Sequence, residues 1–283
     1  MKTEKMHTGF LYETHLHTCQ SSVCAVSRGK DYIQRYVDLG FTGIMVTDHF
    51  FNSNTTFDRR KHWAEWVKGY CSGYEEAKNE GEKHGLDVFF GWEETFEGDD
   101  YLIYGLDKTW LLEHPEMIRW TREEQFREVH RDGGCIVHAH PFRQHTYLNT
   151  VTLVPYLVDA IEAANAGNHD ALYDAQAFEY ARILRLPAVA GSDAHDVSGL
   201  GRSGGPYGIY TTVKLSSVHD YVSLILNKQC PFLHVPPGRC TLQSSDKNKL
   251  LNLKAEIRDN KDRSTGRQRM SLNDVVQYLL KAG

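Results

Sequence analysis

The sequence predicts an α/β barrel of seven strand–helix units, one of which is missing or distorted. Short apolar runs alternate with amphipathic helical stretches along most of the chain, which is typical of a parallel α/β sheet. Four of these runs end in histidine or aspartate, and side chains from distant parts of a chain converge where the strands of such a barrel end. With 283 residues, the chain is long enough for one such domain and an appendage.

Each strand is predicted from a short apolar run, and each helix from apolar residues three or four positions apart. The predicted strands are Leu11–Thr18, Thr42–His49, Asp87–Glu93, Tyr101–Leu106, Cys135–His140, Ala160–Ala164 and Ala188–His195, with Gly208–Val213 as an edge strand. The predicted helices are Lys30–Gly40, Arg59–Gly85, Pro115–Asp132 and His169–Leu186. In the second helix, Trp63 and Trp66 are expected to face the core.

The apolar residues and the cysteines indicate a cytoplasmic protein. No run approaches the roughly 18 consecutive apolar residues that span a bilayer, so no membrane partner is expected. The N-terminal segment lacks the apolar stretch of a signal peptide. The six cysteines form no CxxC pair, which favours reduced thiols over a disulfide framework.

The net charge of −5 is distributed unevenly. Residues 236–283 carry ten Lys/Arg and five Asp/Glu, which leaves −10 on residues 1–235. We therefore predict a barrel over 1–235 and a basic extension over 236–283, in which Ser271 and Asp274 cap a closing helix over Leu272–Leu280. Long nucleic acid is not an expected partner of an acidic barrel, because phosphate contacts carry most of that affinity.

Histidines and aspartates cluster at the ends of four predicted strands. They are the pairs His15/His17, His138/His140 and Asp193/His195, and the dipeptide Asp48-His49. Residues i and i+2 of a strand face the same side, so each pair projects together. A single pair is more readily explained by buried histidines that bind backbone carbonyls. All four together favour a site for several metal ions, since imidazole and carboxylate are the usual ligands of zinc, manganese and iron.

Five motifs, in their order along the chain, resemble those of the PHP (polymerase and histidinol phosphatase) superfamily. They are His15-Leu16-His17-Thr18, Thr47-Asp48-His49, Gly91-Trp92-Glu93, Ala139-His140-Pro141 and Gly191-Ser192-Asp193-Ala194-His195. The resemblance runs from about residue 11 to residue 215 and leaves 236–283 outside. It implies a distorted (β/α)7 barrel with two or three divalent metal ions, Zn, Mn or Fe, at the C-terminal ends of the strands.

The resemblance also assigns ligands to each ion. The first ion would be held by four residues, His15, His17, Glu93 and Asp193. A second ion would share Glu93 with the first and would also bind His140. A third ion would bind His49 and His195. Asp48 is then expected to support the end of its strand. His138 is expected to lie one layer deeper than His140, either as a core residue or as an imidazole that orients a ligand.

This chain departs from the family pattern at two positions. Members with three metals carry a histidine shortly after the HxH motif, where this chain has Val23 beside Cys24, and members with two metals often have aspartate near the position of Ser22. Cys24 is either a thiolate ligand, which suits zinc, or a buried and inert cysteine. Asp100 stands where a histidine often enters the fourth strand, and a carboxylate ligand there would favour manganese or iron. The third metal site depends on these two residues.

A further set of residues is expected to line the pocket. Arg143, just beyond a metal-site strand, is placed to fork onto a phosphate, although a surface arginine needs no such role. Arg202 lies in a glycine-rich loop and is expected to close over substrate. Glu162 and Asn165 end the sixth strand and face the same pocket.

The motifs and the resemblance together predict a metal-dependent phosphatase that hydrolyses a small phosphomonoester with metal-activated hydroxide. The substrate would be a small phosphorylated molecule, with a nucleotide among the candidates. Two alternatives stay open, namely a barrel hydrolase of C–N or C–O bonds and a non-catalytic metal-binding sensor or scaffold. The sequence leaves the oligomeric state undetermined.

Overall fold

The computed structural model describes residues 9–144, 151–200 and 205–241, and the backbone of 254–257 and 268–271. Its strands are β1 (Phe10–Leu16), β2 (Gly43–Val46), β3 (Asp87–Phe96), β4 (Asp99–Tyr104), β5 (Cys135–His138), β6 (Val151–Leu153), β7 (Ala160–Asn165), β8 (Ala188–Gly191), β9 (Gly208–Thr211), β10 (Phe232–His234), β11 (Lys254–Ile257) and β12 (Gln268–Ser271). Its α-helices are α1 (Asp31–Asp38), α2 (Trp63–Tyr70), α3 (Ser72–His84), α4 (Lys108–Glu113), α5 (Arg122–Arg131), α6 (Ala171–Leu184) and α7 (Val218–Leu226).

The main sheet curls into a barrel. Its strand order is β10-β9-β1-β2-β3-β4-β5-β7-β8. Backbone hydrogen bonds from His17 N to Ala194 O (2.9 Å) and from Ala194 N to His15 O (3.3 Å) join the end of β1 to the segment after β8. The seven strands from β1 through β5, with β7 and β8, therefore form a nearly closed barrel, and the predicted fold class is confirmed.

The distorted unit is the hairpin of β3 and β4. β4 runs antiparallel to both β3 and β5, whereas β2 is parallel to β1 and to β3. A two-residue turn at Glu97-Gly98, with φ values of 51° and 92°, takes the place of a crossover helix. This reversal places the start of β4, and with it Asp100, beside the C-terminal end of β3.

The predicted edge strand is not at the edge. β9 pairs antiparallel with β1 on one side and with β10 on the other. β10 has only three residues, which is too short a run to stand out in the sequence. Helix α7 was also missing from the prediction, and it packs Tyr221, Val222 and Ile225 into the core.

Two predicted helices are interrupted. The stretch 59–85 forms α2 and α3, which are separated at Cys71. The stretch 115–132 begins as a 3₁₀ turn at Pro115–Arg119 and continues as α5, which starts at a capping box of Thr121 and Glu124. Trp66 is fully buried in an aromatic cluster, which confirms the expected core face. Among the described helices, none combines the length and the apolar character needed to cross a membrane.

A second, smaller sheet has the order β12-β11-β6. β11 pairs parallel with β6, from Ala255 opposite Val151 to Ile257 opposite Leu153. Strands of the predicted extension therefore pair with a segment of the predicted barrel region. The boundary at 235/236 stays a prediction, and the closing helix predicted over Leu272–Leu280 lies outside the described residues.

Candidate metal centre

The residues expected to bind metal meet at one end of the barrel. His15 lies within β1 and Glu93 within β3. The others follow a strand that ends at this face: His17 after β1, His49 after β2, His140 after β5, and Asp193 and His195 after β8. Residues far apart in the chain come together here because parallel strands end on the same face.

Four of these side chains form a compact set. The Nε2 atoms of His15 and His17 are 3.0 Å apart, and Asp193 Oδ1 lies 3.4 and 3.1 Å from them. Glu93 Oε1 lies 3.3 Å from His15 Nε2, and Glu93 Oε2 lies 3.5 Å from His17 Nε2. Around a tetrahedral zinc ion with bonds of roughly 2.0–2.1 Å, ligand atoms stand about 3.3 Å apart. The set therefore fits one metal ion.

Glu93 lies at the centre of the whole cluster. Its oxygens lie within 3.5 Å of four imidazole nitrogens, those of His15 and His140 near Oε1 and those of His17 and His49 near Oε2. The side chain is 1% exposed, yet neither oxygen has a partner with hydrogen-bond geometry among the described residues. Buried carboxylate oxygens of this kind are costly without a counterion, and cations on both sides would satisfy them. Glu93 fits the bridging position.

A second set surrounds His140. Its Nε2 lies 3.4 Å from Glu93 Oε1 and 4.0 Å from Asp100 Oδ2. The Thr95 hydroxyl donates to Asp100 Oδ1 at 2.6 Å. Burial and the negative charge of Glu93 raise the pKa of Asp100, because two carboxylates share a small volume. The atoms of Glu93, Asp100 and His140 lie close enough together to hold a metal ion.

A third set contains His17, His49 and His195, with ligand atoms within 4.8 Å of one another. Cys24 is exposed, so the alternative of a buried and inert cysteine is wrong. Its Sγ lies 3.0 Å from His195 Nε2. Partial desolvation of the sulfur opposes ionisation, but hydrogen bonds with His195 and His49 lower the pKa of the thiol to about 6.

Two candidate ligands have an unusual backbone. His140 has a φ of 31° and Asp193 a φ of 53°, values that residues other than glycine rarely adopt. Each residue lies where the chain turns away from its strand. Such conformations persist where the surrounding structure over-determines them and are common at functional sites.

Glu162 supports two candidate ligands at once, a role that the sequence did not reveal. Its Oε1 lies 2.9 Å from His15 Nδ1, which leaves His15 Nε2 free to face the cluster. Its Oε2 accepts the backbone N–H of His140 at 3.0 Å and the side-chain amide of Asn165 at 2.8 Å. The only signal in the sequence was an acidic residue inside an otherwise apolar strand.

Asp48 and Ser22 secure the loop that follows β1. Asp48 accepts hydrogen bonds from the backbone N–H of Thr18 (2.6 Å), from the Thr18 hydroxyl (2.7 Å) and from the Ser22 hydroxyl (2.7 Å). Ser22 Oγ also lies 3.2 Å from His17 Nδ1. Asp48 thus holds the strand end, and Ser22 turns His17 Nε2 towards Glu93.

Burial and charge set the protonation states of the first set. Burial, together with the neighbouring imidazoles of His49 and His195, lowers the pKa of His17 well below its usual range. Burial opposes ionisation of Asp193, but His15 and Arg143 hold the pKa of its carboxyl well below the usual range. A neutral imidazole and an ionised carboxylate are the forms that bind metal ions.

Arg143 is held by the protein itself. Its Nη1 donates to Asp193 Oδ2 at 2.7 Å, its Nη2 to Asn165 Oδ1 at 2.6 Å and its Nε to Asn168 Oδ1 at 2.8 Å. The guanidinium therefore orients Asp193, and its fork does not stand free for a phosphate as the sequence had suggested.

A polar chain continues from Arg143 to the segment beyond residue 235. Asn168 Nδ2 donates to Asp174 Oδ1 at 2.6 Å, and Arg239 Nε donates to Asp174 Oδ2 at 2.5 Å. The Asp174 side chain is fully buried and that of Arg239 is 18% exposed. Arg239 is thereby connected to Asp193 through three intervening side chains.

His138 stands apart from the cluster. The ring of His138 stacks on Tyr101 with centroids 4.9 Å apart, and neither ring nitrogen has a partner among the described residues. His138 thus makes no hydrogen bond to a candidate ligand there, and its complete burial agrees with the core alternative. His140 lies beyond β5, where the alternation of faces has ended, so the two rings do not project together. Arg202 lies outside the described residues.

A cavity of about 570 Å³ opens onto the cluster. Its wall contains most of the candidate ligands, other acidic side chains and one residue of the second sheet. These are Cys24, His49, Glu93, Asp99, Asp100, His140, Arg143, Val151, Asp193 and His195. The cluster is therefore open to a small molecule.

Comparisons with known proteins concern one segment of the chain and its fold. The family model described as PHP-associated matches residues 173–203, which include Asp193 and His195. No curated protein shows significant similarity to the chain.

Two solved structures share the barrel fold. A two-domain protein from Bacteroides vulgatus, which contains a predicted PHP-like metal-dependent phosphoesterase, superposes with a TM-score of 0.55 at 16% identity over 80% of this chain. This chain spans 65% of that protein, which is less than two thirds of its length. PsfC from Pseudomonas syringae superposes with a TM-score of 0.52 at 16% identity, over 82% of this chain and 93% of its own. The chain therefore shares its barrel fold with these proteins, and its segment 173–203 is similar to the PHP-associated family.

Proposed function

We propose that this chain is a metal-dependent phosphatase that hydrolyses a small phosphomonoester. The observation that carries the proposal is Glu93, whose buried and unpartnered oxygens lie between sets of imidazole and carboxylate ligands. Zinc, manganese or iron ions bound there would activate water and neutralise the charge of a phosphoryl group. A carboxylate shared between neighbouring cations is a common way to keep two ions close enough for this chemistry.

The cavity wall supports a strict dependence on metal. Arg143 is the one Lys or Arg side chain among the described residues that line it, and Asp193, Asn165 and Asn168 already engage its nitrogens. Asp99 and Asp100 add negative charge. An anionic substrate would therefore be repelled by the protein alone and would need the cations for binding.

The size of the cavity favours a small substrate. About 570 Å³ lies within the range of sites for small molecules, and a nucleotide would fit as readily as other phosphomonoesters. The walls are acidic, which disfavours long nucleic acid as a partner.

The test combines metal analysis with hydrolysis of p-nitrophenyl phosphate on one sample. We expect at least two ions per chain, turnover that a chelator abolishes, and inhibition by inorganic phosphate in the metal-loaded protein. His17→Ala should abolish turnover and leave the far-ultraviolet circular dichroism unchanged. Stoichiometric metal without phosphatase turnover would instead favour a C–N or C–O hydrolase or a sensor, and a folded protein that binds no metal would overturn the proposal.

A further inference from the structure

Cys24 lies where a third cation would have a sulfur ligand. Its Sγ is 3.0 Å from His195 Nε2. The other ring nitrogen of His195 bonds the backbone carbonyl of Asp193 at 2.7 Å, which turns Nε2 towards the sulfur. In a zinc site with Zn–S of roughly 2.3 Å and Zn–N of roughly 2.0–2.1 Å, sulfur and nitrogen stand about 3.5 Å apart. The observed spacing needs only a small opening to admit an ion.

A second and independent observation points to a ligand at the same place. His49 Nδ1 is buried and has no partner with hydrogen-bond geometry among the described residues, although Glu93 Oε2 lies only 2.6 Å away. That carboxylate is itself buried and unpartnered. Both atoms would be satisfied by a shared cation that binds the two of them from the same side.

We propose that Cys24, His49 and His195 together hold a cation through one thiolate and two imidazoles, and that the thiolate makes this position prefer Zn²⁺ to Mn²⁺. The proposal rests on the proposed function, because it assumes that the neighbouring sets bind metal. The neighbouring sets offer only imidazole and carboxylate. Thiolate is a softer ligand than either, so the position with Cys24 and the neighbouring sets would prefer different metal ions. The centre would then be heterometallic.

The three residues also leave a position open. Cys24, His49 and His195 all border the cavity. A zinc ion with three protein ligands keeps a fourth position for water or substrate, as catalytic zinc sites do. The sulfur-bearing position therefore faces the substrate rather than the protein interior.

The first test is Co²⁺ reconstitution of the metal-free protein. A thiolate–cobalt charge-transfer band is expected in the near ultraviolet for the wild type and for Cys19→Ser, a matched control in the same loop. The band should vanish in Cys24→Ser, and the metal content should fall by one ion per chain. Cys24→His should restore the metal content without the band. A band that persists in Cys24→Ser would overturn the proposal.

The second test measures alkylation of exposed thiols by iodoacetamide. Cys24 and Cys230 are both exposed, so Cys230 serves as an internal reference. Zn²⁺ should slow alkylation of Cys24 by at least about tenfold, because a coordinated thiolate is a poor nucleophile, and should leave Cys230 unchanged. Equal rates with and without Zn²⁺ would refute the ligand role. If turnover stays chelator-sensitive while Cys24 is unprotected, this inference fails and the proposed function stands.

Discussion

Arg143 Nη1 donates a hydrogen bond of 2.7 Å to Asp193 Oδ2, while Asp193 Oδ1 faces His17 Nε2 at 3.1 Å. The two oxygens of one carboxylate are thereby divided between an arginine and the candidate metal position. Asp193 is held in a left-handed backbone conformation at the same time. The hydrogen bond from Arg143 and the backbone conformation therefore both fix the orientation of the Asp193 carboxylate.

Arg143→Lys should weaken metal binding. A single ammonium cannot satisfy Asp193, Asn165 and Asn168 together as the guanidinium does. We expect the metal dissociation constant to rise about 10–100-fold, which chelator competition would measure. An unchanged metal affinity with a raised KM would instead support a direct role of Arg143 in phosphate binding.

Glu162→Gln should also weaken metal binding, in this case through His15 and His140. Glu162 receives three hydrogen bonds, from His15, His140 N and Asn165. An amide has one oxygen, so its NH₂ group would face at least one donor. Metal affinity should fall about 10–100-fold with the fold retained, as judged by chelator competition and circular dichroism. Wild-type affinity in this variant would show that His15 needs no such support.

Gly191→Ala tests the packing beneath the cluster. A Cβ at this position would lie 2.5 Å from His15 Cβ and 2.7 Å from Glu162 Oε1, so His15 would have to move. We expect a loss of about 1–3 kcal/mol in the free energy of unfolding and a loss of metal from the first set. Gly199→Ala is the control, because an added Cβ there meets nothing within 4 Å. Equal metal content in the two variants would contradict this packing argument.

His138→Phe should change the response to acid. Burial lowers the pKa of His138 to about 3, so the folded protein keeps the ring neutral while the unfolded chain gains a proton below pH 6.5. The free energy of unfolding therefore decreases as the pH falls from 6.5 towards 3. At pH 5, His138 alone accounts for a decrease of about 2 kcal/mol. The variant should not show this decrease in the free energy of unfolding, and it should still bind metal. Urea unfolding of both metal-free proteins at pH 7 and pH 5 measures the difference, and parallel curves would refute it.

Arg239→Gln should destabilise the barrel, although Arg239 lies in the predicted extension. The fully buried Asp174 carboxylate would lose its charged partner. We expect a cost of about 2–3 kcal/mol in urea unfolding, partly recovered when Asp174→Asn is added. Arg60→Gln is a surface control that should leave stability unchanged, since the pairing of the exposed Arg60 within the described part of the chain is with the nearby Asp58. A loss of the same size in the control would show that the effect is not specific.

The strands could be predicted from the sequence better than the helices and turns around them. An apolar run of a buried strand stands out by itself, and all seven barrel strands were placed within a few residues. The direction of β4 was not predictable, because it depends on a turn of two residues with positive φ. The break between α2 and α3 at Cys71 was not predicted, because the apolar residues keep a helical spacing across it.

The sequence by itself determined the residue types at the strand ends and their spacing. That was enough to predict the barrel and to select the residues that meet there, because residues i and i+2 share a face and parallel strands end together. Only the tertiary structure decided how those residues are held. His15 meets Glu162 across 147 residues and His195 meets Cys24 across 171, and contacts so distant in sequence leave no local pattern. The physical reason is that such contacts depend on how closed the barrel is and on where each loop returns, which local propensity does not encode.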